Sequence, residues 1–169
     1  MNDSGAAVIR RKLRWVLAVF MVALVLSGVT AFPLQSELDR FVELRGLDHL
    51  TPGQATNGFD GWILKVRDGL RETYAKYPWM AYGTDWLAFA HVVIAVFFIG
   101  AWVDPVRNVW VLQAGVVACV LVIPLALICG AVRQIPFGWR LIDCSFGVFG
   151  VLPLLYCLRL TKLIEAKRG

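Results

Sequence analysis

Four long runs with no charged side chain, or with only one, determine what this chain can fold into. The runs cover residues 15–34, 86–103, 109–129 and 141–158, and only the last contains a charge, Asp143 near its start. Each run has at least 18 residues. At about 1.5 Å per residue, a helix of that length crosses nearly all of the roughly 30 Å of hydrocarbon in a bilayer. The chain is therefore predicted to contain four transmembrane helices.

The fold class follows from the absence of water inside a bilayer. A segment in hydrocarbon must satisfy its own backbone hydrogen bonds, and no run alternates polar and apolar residues as a barrel strand does. Hydrophobic residues make up 59% of the chain and charged residues 17%, which leaves little material for a soluble domain. We predict an all-α, polytopic membrane helical bundle. It forms a single membrane domain over residues 1–169, with a helical external connector between the first and second spans.

The first run has a second interpretation. Basic residues precede it, and Val29, Thr30 and Ala31 near its end resemble the cleavage site of a secretory signal. The run is longer than the roughly 7–15 apolar residues of a typical signal, and Pro33 lies just beyond the candidate site. A retained span is favoured over a cleaved one. Both alternatives place residue 35 outside the cytoplasm.

The distribution of basic residues predicts the orientation. Short cytoplasmic segments of membrane proteins are rich in Lys and Arg. Nine basic residues lie before the first run, between the second and third, or after the fourth, whereas the 130–140 connector carries two. The nine are Arg10, Arg11, Lys12, Arg14, Arg107, Arg159, Lys162, Lys167 and Arg168. We predict a bacterial inner-membrane (plasma-membrane) protein with both termini in the cytoplasm. Its net charge of +5 then reflects topology and attraction to anionic lipid, not nucleic-acid binding.

The external connector, residues 35–83, is predicted to contain two helices. Ser36 precedes a short acidic stretch, and Gly46 follows a basic residue, a pattern typical of a capped helix over residues 37–45. A segment rich in Gly, Pro and Asn follows, which indicates turns.

The second connector helix is predicted over residues 61–77, opened by Asp60 and closed by Pro78. Its apolar and aromatic side chains recur every three or four residues, and they are Trp62, Val66, Leu70, Tyr74 and Tyr77. Charged side chains point elsewhere, and they are Lys65, Arg67, Asp68, Arg71, Glu72 and Lys76. We expect the apolar face to lie on the bilayer surface or to cap the bundle.

Four side chains are candidates for a polar site near the outer leaflet. His91 lies about two turns inside the second span, and an ionisable residue inside a membrane is a functional candidate by default. Asp143 begins the fourth span on the same side, and Arg133 and Arg140 lie in the adjoining connector. Such a site would handle protons or bind an anionic headgroup or a quinone-like molecule. The alternative, which we favour, is an interhelical hydrogen bond between His91 and Asp143 that fixes packing.

The four cysteines, Cys119, Cys129, Cys144 and Cys157, form no CxxC motif. They are expected to be small packing residues, and only Cys129 and Cys144 match in depth, as a disulfide would require. A metal site would need the loop residue His49 to fold back onto His91 and Asp143, and we predict no metal site.

The chain has no GxSxG, HExxH or Gly-rich phosphate-loop motif and no pair of histidines spaced on helices to hold a haem. No catalytic residues are predicted, and the sequence does not identify a cofactor. The predicted function is a non-catalytic subunit or accessory of a membrane assembly. Its expected partners are membrane lipids and either a second copy or another membrane-complex subunit, with no nucleic acid. The alternative is a membrane-embedded redox, quinone- or lipid-binding, or lipid-modifying module that uses the four candidate side chains.

Overall fold

A computed structural model describes residues 3–167 of the chain, so Arg168 lies outside the described residues. Every regular element in the described part is helical, with no strand. In chain order the helices are α1 (Asp3–Val29), α2 (Leu34–Leu44), α3 (Gly58–Lys76), α4 (Tyr82–Val103), α5 (Val109–Pro124), α6 (Gly130–Val132) and α7 (Phe137–Glu165). Two 3₁₀ turns, Pro52–Gln54 and Pro78–Ala81, flank α3, and a π turn, Leu125–Cys129, joins α5 to α6.

Four helices are long and apolar enough to span a membrane, which confirms the predicted number. They cover Gly5–Val29, Pro78–Val103, Val109–Val132 and Phe137–Glu165. Most extend beyond the uncharged runs because a helix continues into its polar flanks. The first ends earlier than its run, at Val29, and a turn leads into Pro33, after which α2 begins.

The third span changes its helical geometry at Pro124. Proline has no amide hydrogen, so it cannot bond the carbonyl one turn earlier, and its ring crowds that carbonyl. The wider π turn Leu125–Cys129 follows directly, and α6 then restores regular α geometry. Such π turns inside helices are frequent at functional sites.

The chain divides into two compact units. The terminal unit comprises Met1–Ala23 and Ile94–Gly169, and the middle unit comprises Leu24–Val93. All four spanning helices contribute side chains to the core of the terminal unit, which consists of Leu13, Leu17, Phe98, Ala101, Leu112, Leu154, Cys157, Leu160 and Ile164.

Glycines allow α5 and α7 to approach closely in the terminal unit. A Cβ atom added at Gly147 would overlap the carbonyl oxygen of Cys119. One added at Gly150 would lie 2.9 Å from the Cys119 Sγ. The backbones of α5 and α7 are therefore too close at this contact to leave room for a side chain between them. Such close contacts at small residues are common between membrane helices.

In the middle unit, α2 and α3 form the segment between the first two spans. The predicted Ser36 cap is wrong: α2 begins at Leu34 after Pro33, so Ser36 lies inside its first turn. The Pro33 carbonyl oxygen accepts a hydrogen bond from the Glu37 amide at 2.9 Å, so the first helical turn already includes Ser36. Gly46 follows α2 with φ +64°, a left-handed conformation that glycine adopts without steric cost.

The beginning of α3 is held by a network of polar side chains. The Asn57 side chain accepts a hydrogen bond from the Asp60 backbone amide at 2.9 Å and donates one to the Asp60 carboxylate, also at 2.9 Å. Arg45, at the end of α2, donates to both carboxylate oxygens of Asp60 at 2.8 and 3.1 Å. Asp60 is only 4% exposed, so this buried charge has the partners it needs.

The most buried side chains of α3 are Asp60, Ile63, Leu64 and Arg67. Arg67, which the pattern placed away from the apolar face, is 6% exposed and pairs with Asp68 at 2.7 Å. An arginine stem packs well against apolar neighbours when its head has a partner. The expected interface residues Val66 and Leu70 are only partly buried within the unit.

Candidate functional site

The turn between α6 and α7 positions two of the candidate arginines. Gln134 has φ +60°, and the Ile135 amide donates to the Gly130 carbonyl oxygen at 2.9 Å. The Gln134 amide donates to the Ala131 carbonyl oxygen at 3.0 Å. This is the Schellman pattern of helix termination, although glutamine occupies the position that usually holds glycine. Arg133 therefore ends one helix, and Arg140 lies in the first turn of the next.

A cavity of about 240 Å³ lies beside the π turn, within the terminal unit. Arg133 and Asp143, both predicted as site residues, contribute to its lining. Cys129, the third predicted residue in the lining, ends the π turn. The remaining lining residues are apolar, and they are Val122, Leu125, Ala126, Gly130 and Ile135. The cavity thus combines one positive and one negative side chain with an apolar wall.

Arg140 supports the turn instead of lining the cavity. Its Nε donates to the Ile135 carbonyl oxygen at 2.8 Å, and its guanidinium lies 5.6 Å from the centre of the Phe137 ring. A Cβ added at Gly130 would lie 2.7 Å from the Arg140 side-chain carbons. This arginine therefore packs on the turn that carries Arg133.

Arg133 and Asp143 have no such partners. Among the described residues of the terminal unit, neither side chain forms a hydrogen bond or ion pair, although both contribute to the same cavity. Arg133 is exposed and Asp143 is half-buried. Both groups are therefore free to bind the polar part of a ligand whose apolar part lies along the cavity wall.

His91 belongs to the middle unit, and the other three candidates belong to the terminal unit. Its Nδ1 lies 2.7 Å from the Leu87 carbonyl oxygen, and since a carbonyl only accepts, Nδ1 carries the proton and donates. A Cβ added at Gly28 would lie 2.7 Å from the His91 Cβ, so α1 approaches α4 closely here. The imidazole therefore has a hydrogen-bond partner in its own helix. From the sequence, only charged side chains were expected as partners, so this backbone carbonyl was not predicted. Its pairing with Asp143 stays a prediction.

All four cysteines are free thiols. The Cys144 Sγ lies 4.0 Å from the Ile123 carbonyl oxygen, and Cys129 is exposed beside the cavity. The bridge between these two residues stays a prediction. No group of three or more His, Cys, Asp and Glu side chains in residues 3–167 is arranged to hold a metal ion.

The cavity itself was not predicted from the sequence. It adjoins the π turn, and the only local signal of that turn is the proline before it, which indicates a bend but not its kind.

No protein-family model, curated protein or solved structure matches this chain.

Proposed function

We propose that this multi-pass membrane protein is a non-catalytic subunit or accessory of a bacterial inner-membrane assembly, with both termini in the cytoplasm. The supporting observation is that two of the four candidate side chains, His91 and Arg140, form hydrogen bonds to nearby backbone carbonyls. The His91 Nδ1 and the Arg140 Nε each donate to a backbone carbonyl within five residues along the chain. Each bond holds its side chain against the neighbouring backbone, as expected for a structural group. The His91 Nε2 forms no hydrogen bond within residues 3–167, and the His91→Leu variant below tests whether it has a function.

Charged side chains also have a structural role between α2 and α3 of the middle unit. Asp60 joins the end of α2 to the start of α3, and Arg71 lies 2.9 Å from Asp39 across the same two helices. Ion pairs of this kind fix how the helices pack. A protein that acts by presenting a well-ordered surface to a partner requires such fixed packing.

The proposal is tested by isolating the protein, tagged and expressed at its natural level, from its own membranes in a mild detergent. We expect a complex of defined stoichiometry, either with another membrane protein or with a second copy. The His91→Leu variant should keep that stoichiometry and normal growth. A monomer with no partner, or a growth defect in a stably folded His91→Leu protein, would refute the proposal.

A second candidate function is supported by the cavity beside the π turn. Arg133 and Asp143 are unpaired in their unit and contribute to the same apolar-walled space, which suits an amphiphile such as a quinone or a lipid. Native mass spectrometry of the purified protein should then show a bound amphiphile that Arg133→Gln removes. The matched control is Arg107→Gln, which removes an exposed arginine outside the cavity. Equal retention in both variants would exclude this function.

A further inference from the structure

A second concave surface lies in the terminal unit, near the start of α1. It is a groove of about 530 Å³, and its lining includes Arg10, Arg11, Arg14, Trp15, Ala18 and Trp102. Neither candidate function above uses it. Among the residues that the structure describes, the groove lining includes three guanidinium groups and no acidic side chain.

One wall of the groove is a reciprocal contact between Arg14 and Trp102. The Arg14 Nε donates to the Trp102 carbonyl oxygen at 3.1 Å, and the Trp102 Nε1 donates to the Arg14 carbonyl oxygen at 3.1 Å. The guanidinium also lies 5.1 Å from the centre of the Trp102 indole, within the range of a cation–π contact. These contacts fix α1 to the end of α4, so the groove is preformed.

Arg10 and Arg11 supply positive charge that no described side chain neutralises. Neither side chain forms a hydrogen bond or ion pair within residues 3–167. Arg10 precedes Arg14 by one helical turn, so the two lie on one stripe of α1. The groove therefore presents the guanidinium groups of Arg10 and Arg11, which are available to a ligand, beside that of Arg14, which is bonded to α4.

The groove also changes from polar to apolar along α1. Trp15 is the first residue of the uncharged run and is 69% exposed, and Ala18 lies one turn deeper. Tryptophan is enriched where a span meets the headgroup region. A ligand that fits both halves has an anionic head at the arginines and an apolar tail along the tryptophan and alanine.

We infer that this groove binds the headgroup of an anionic phospholipid. The planar guanidinium groups of Arg10 and Arg11 match two oxygens of a phosphate group, and basic pockets between membrane helices bind acidic headgroups. The first acyl carbons then lie against Trp15 and Ala18. Arg14 keeps its contacts to α4 and contributes charge without having to move.

The test compares two lipids with identical acyl chains, phosphatidylglycerol and phosphatidylcholine, added in equal amounts to the purified full-length protein in detergent. Native mass spectrometry measures how much of each lipid is retained. We expect wild-type protein to prefer phosphatidylglycerol, and the double variant Arg10→Gln/Arg11→Gln to lower that preference about 25-fold, or about fivefold per charge.

Lys12→Gln serves as the matched control, because it removes one exposed cation next to the pair but outside the groove lining. It should leave the preference unchanged, and circular dichroism should show that all variants keep their helix content. An equal loss in Lys12→Gln, or no preference in wild-type protein, would overturn the inference. Displacement of the lipid by inorganic phosphate at an equal concentration would also overturn it, since the site would then bind free phosphate.

Discussion

Replacing Gly147 by alanine tests the closest helix contact in the terminal unit. The added Cβ would overlap the Cys119 carbonyl oxygen, a backbone atom that cannot rotate away. Either α5 and α7 separate or the helix distorts, and overpacking of this kind costs about 1–3 kcal/mol. Alanine recovers up to about 1 kcal/mol through its higher helix propensity. Subtracting about 1 kcal/mol from this cost, we expect Gly147→Ala to lower the free energy of unfolding by up to about 2 kcal/mol.

Gly138 and Gly150 provide matched comparisons on the same helix. No atom lies within 4 Å of a Cβ added at Gly138, so Gly138→Ala should be neutral or stabilise by about 0.5–1 kcal/mol. Gly150→Ala meets the Cys119 Sγ at 2.9 Å, a side-chain atom that can rotate, and should fall between the two. The measurement is reversible unfolding in mixed detergent micelles, followed by tryptophan fluorescence and circular dichroism. If Gly147→Ala is as stable as Gly138→Ala, the two backbones are not in the contact described here.

Three further predictions concern orientation and the polar groups. In a cysteine-free background, Gln54→Cys should react with an impermeant thiol reagent in intact cells, whereas Ala166→Cys should react only after permeabilisation. Labelling of Ala166→Cys in intact cells would contradict the predicted orientation. If His91 and Asp143 pair, the leucine variant of each should lose about 1–3 kcal/mol of stability and the double variant less than the sum, so strict additivity in thermal unfolding would exclude the pair. Asp60→Asn removes the negative charge that Arg45 binds and should lower the stability of the middle unit by about 1–2 kcal/mol. The measurement is hydrogen exchange, which should become faster in α2 and α3, and unchanged exchange would show that the ion pair adds no stability.

The number of spanning helices was predictable because a bilayer requires long apolar runs, and such runs are visible residue by residue. The predicted first and last residues of the helices were less accurate than their number. An uncharged run marks the apolar part of a helix and not its ends. At α2, the helix begins at Leu34, two residues before the expected cap Ser36.

Contacts that depend on tertiary packing were not predictable in this way. The burial of Arg67 and the reciprocal contact of Arg14 with Trp102 each depend on which elements pack against each other. Of the candidate site, Arg133 and Asp143 lie at a common cavity, while Arg140 supports the adjoining turn. A sequence pattern shows that a charge is present at a given depth, but not which atom it bonds.

The core of the terminal unit joins the first span to the last, which has a consequence for synthesis. Leu13 and Leu17 pack in the same core as Leu160 and Ile164, so these partners leave the ribosome only after the fourth span has been synthesised. Until then the first helix can pack only against the second and third spans, and lipid covers the part of its apolar face that α7 later contacts. Assembly of this core must therefore follow insertion of the individual helices, and a stop codon placed before α7 should leave inserted but unassembled spans.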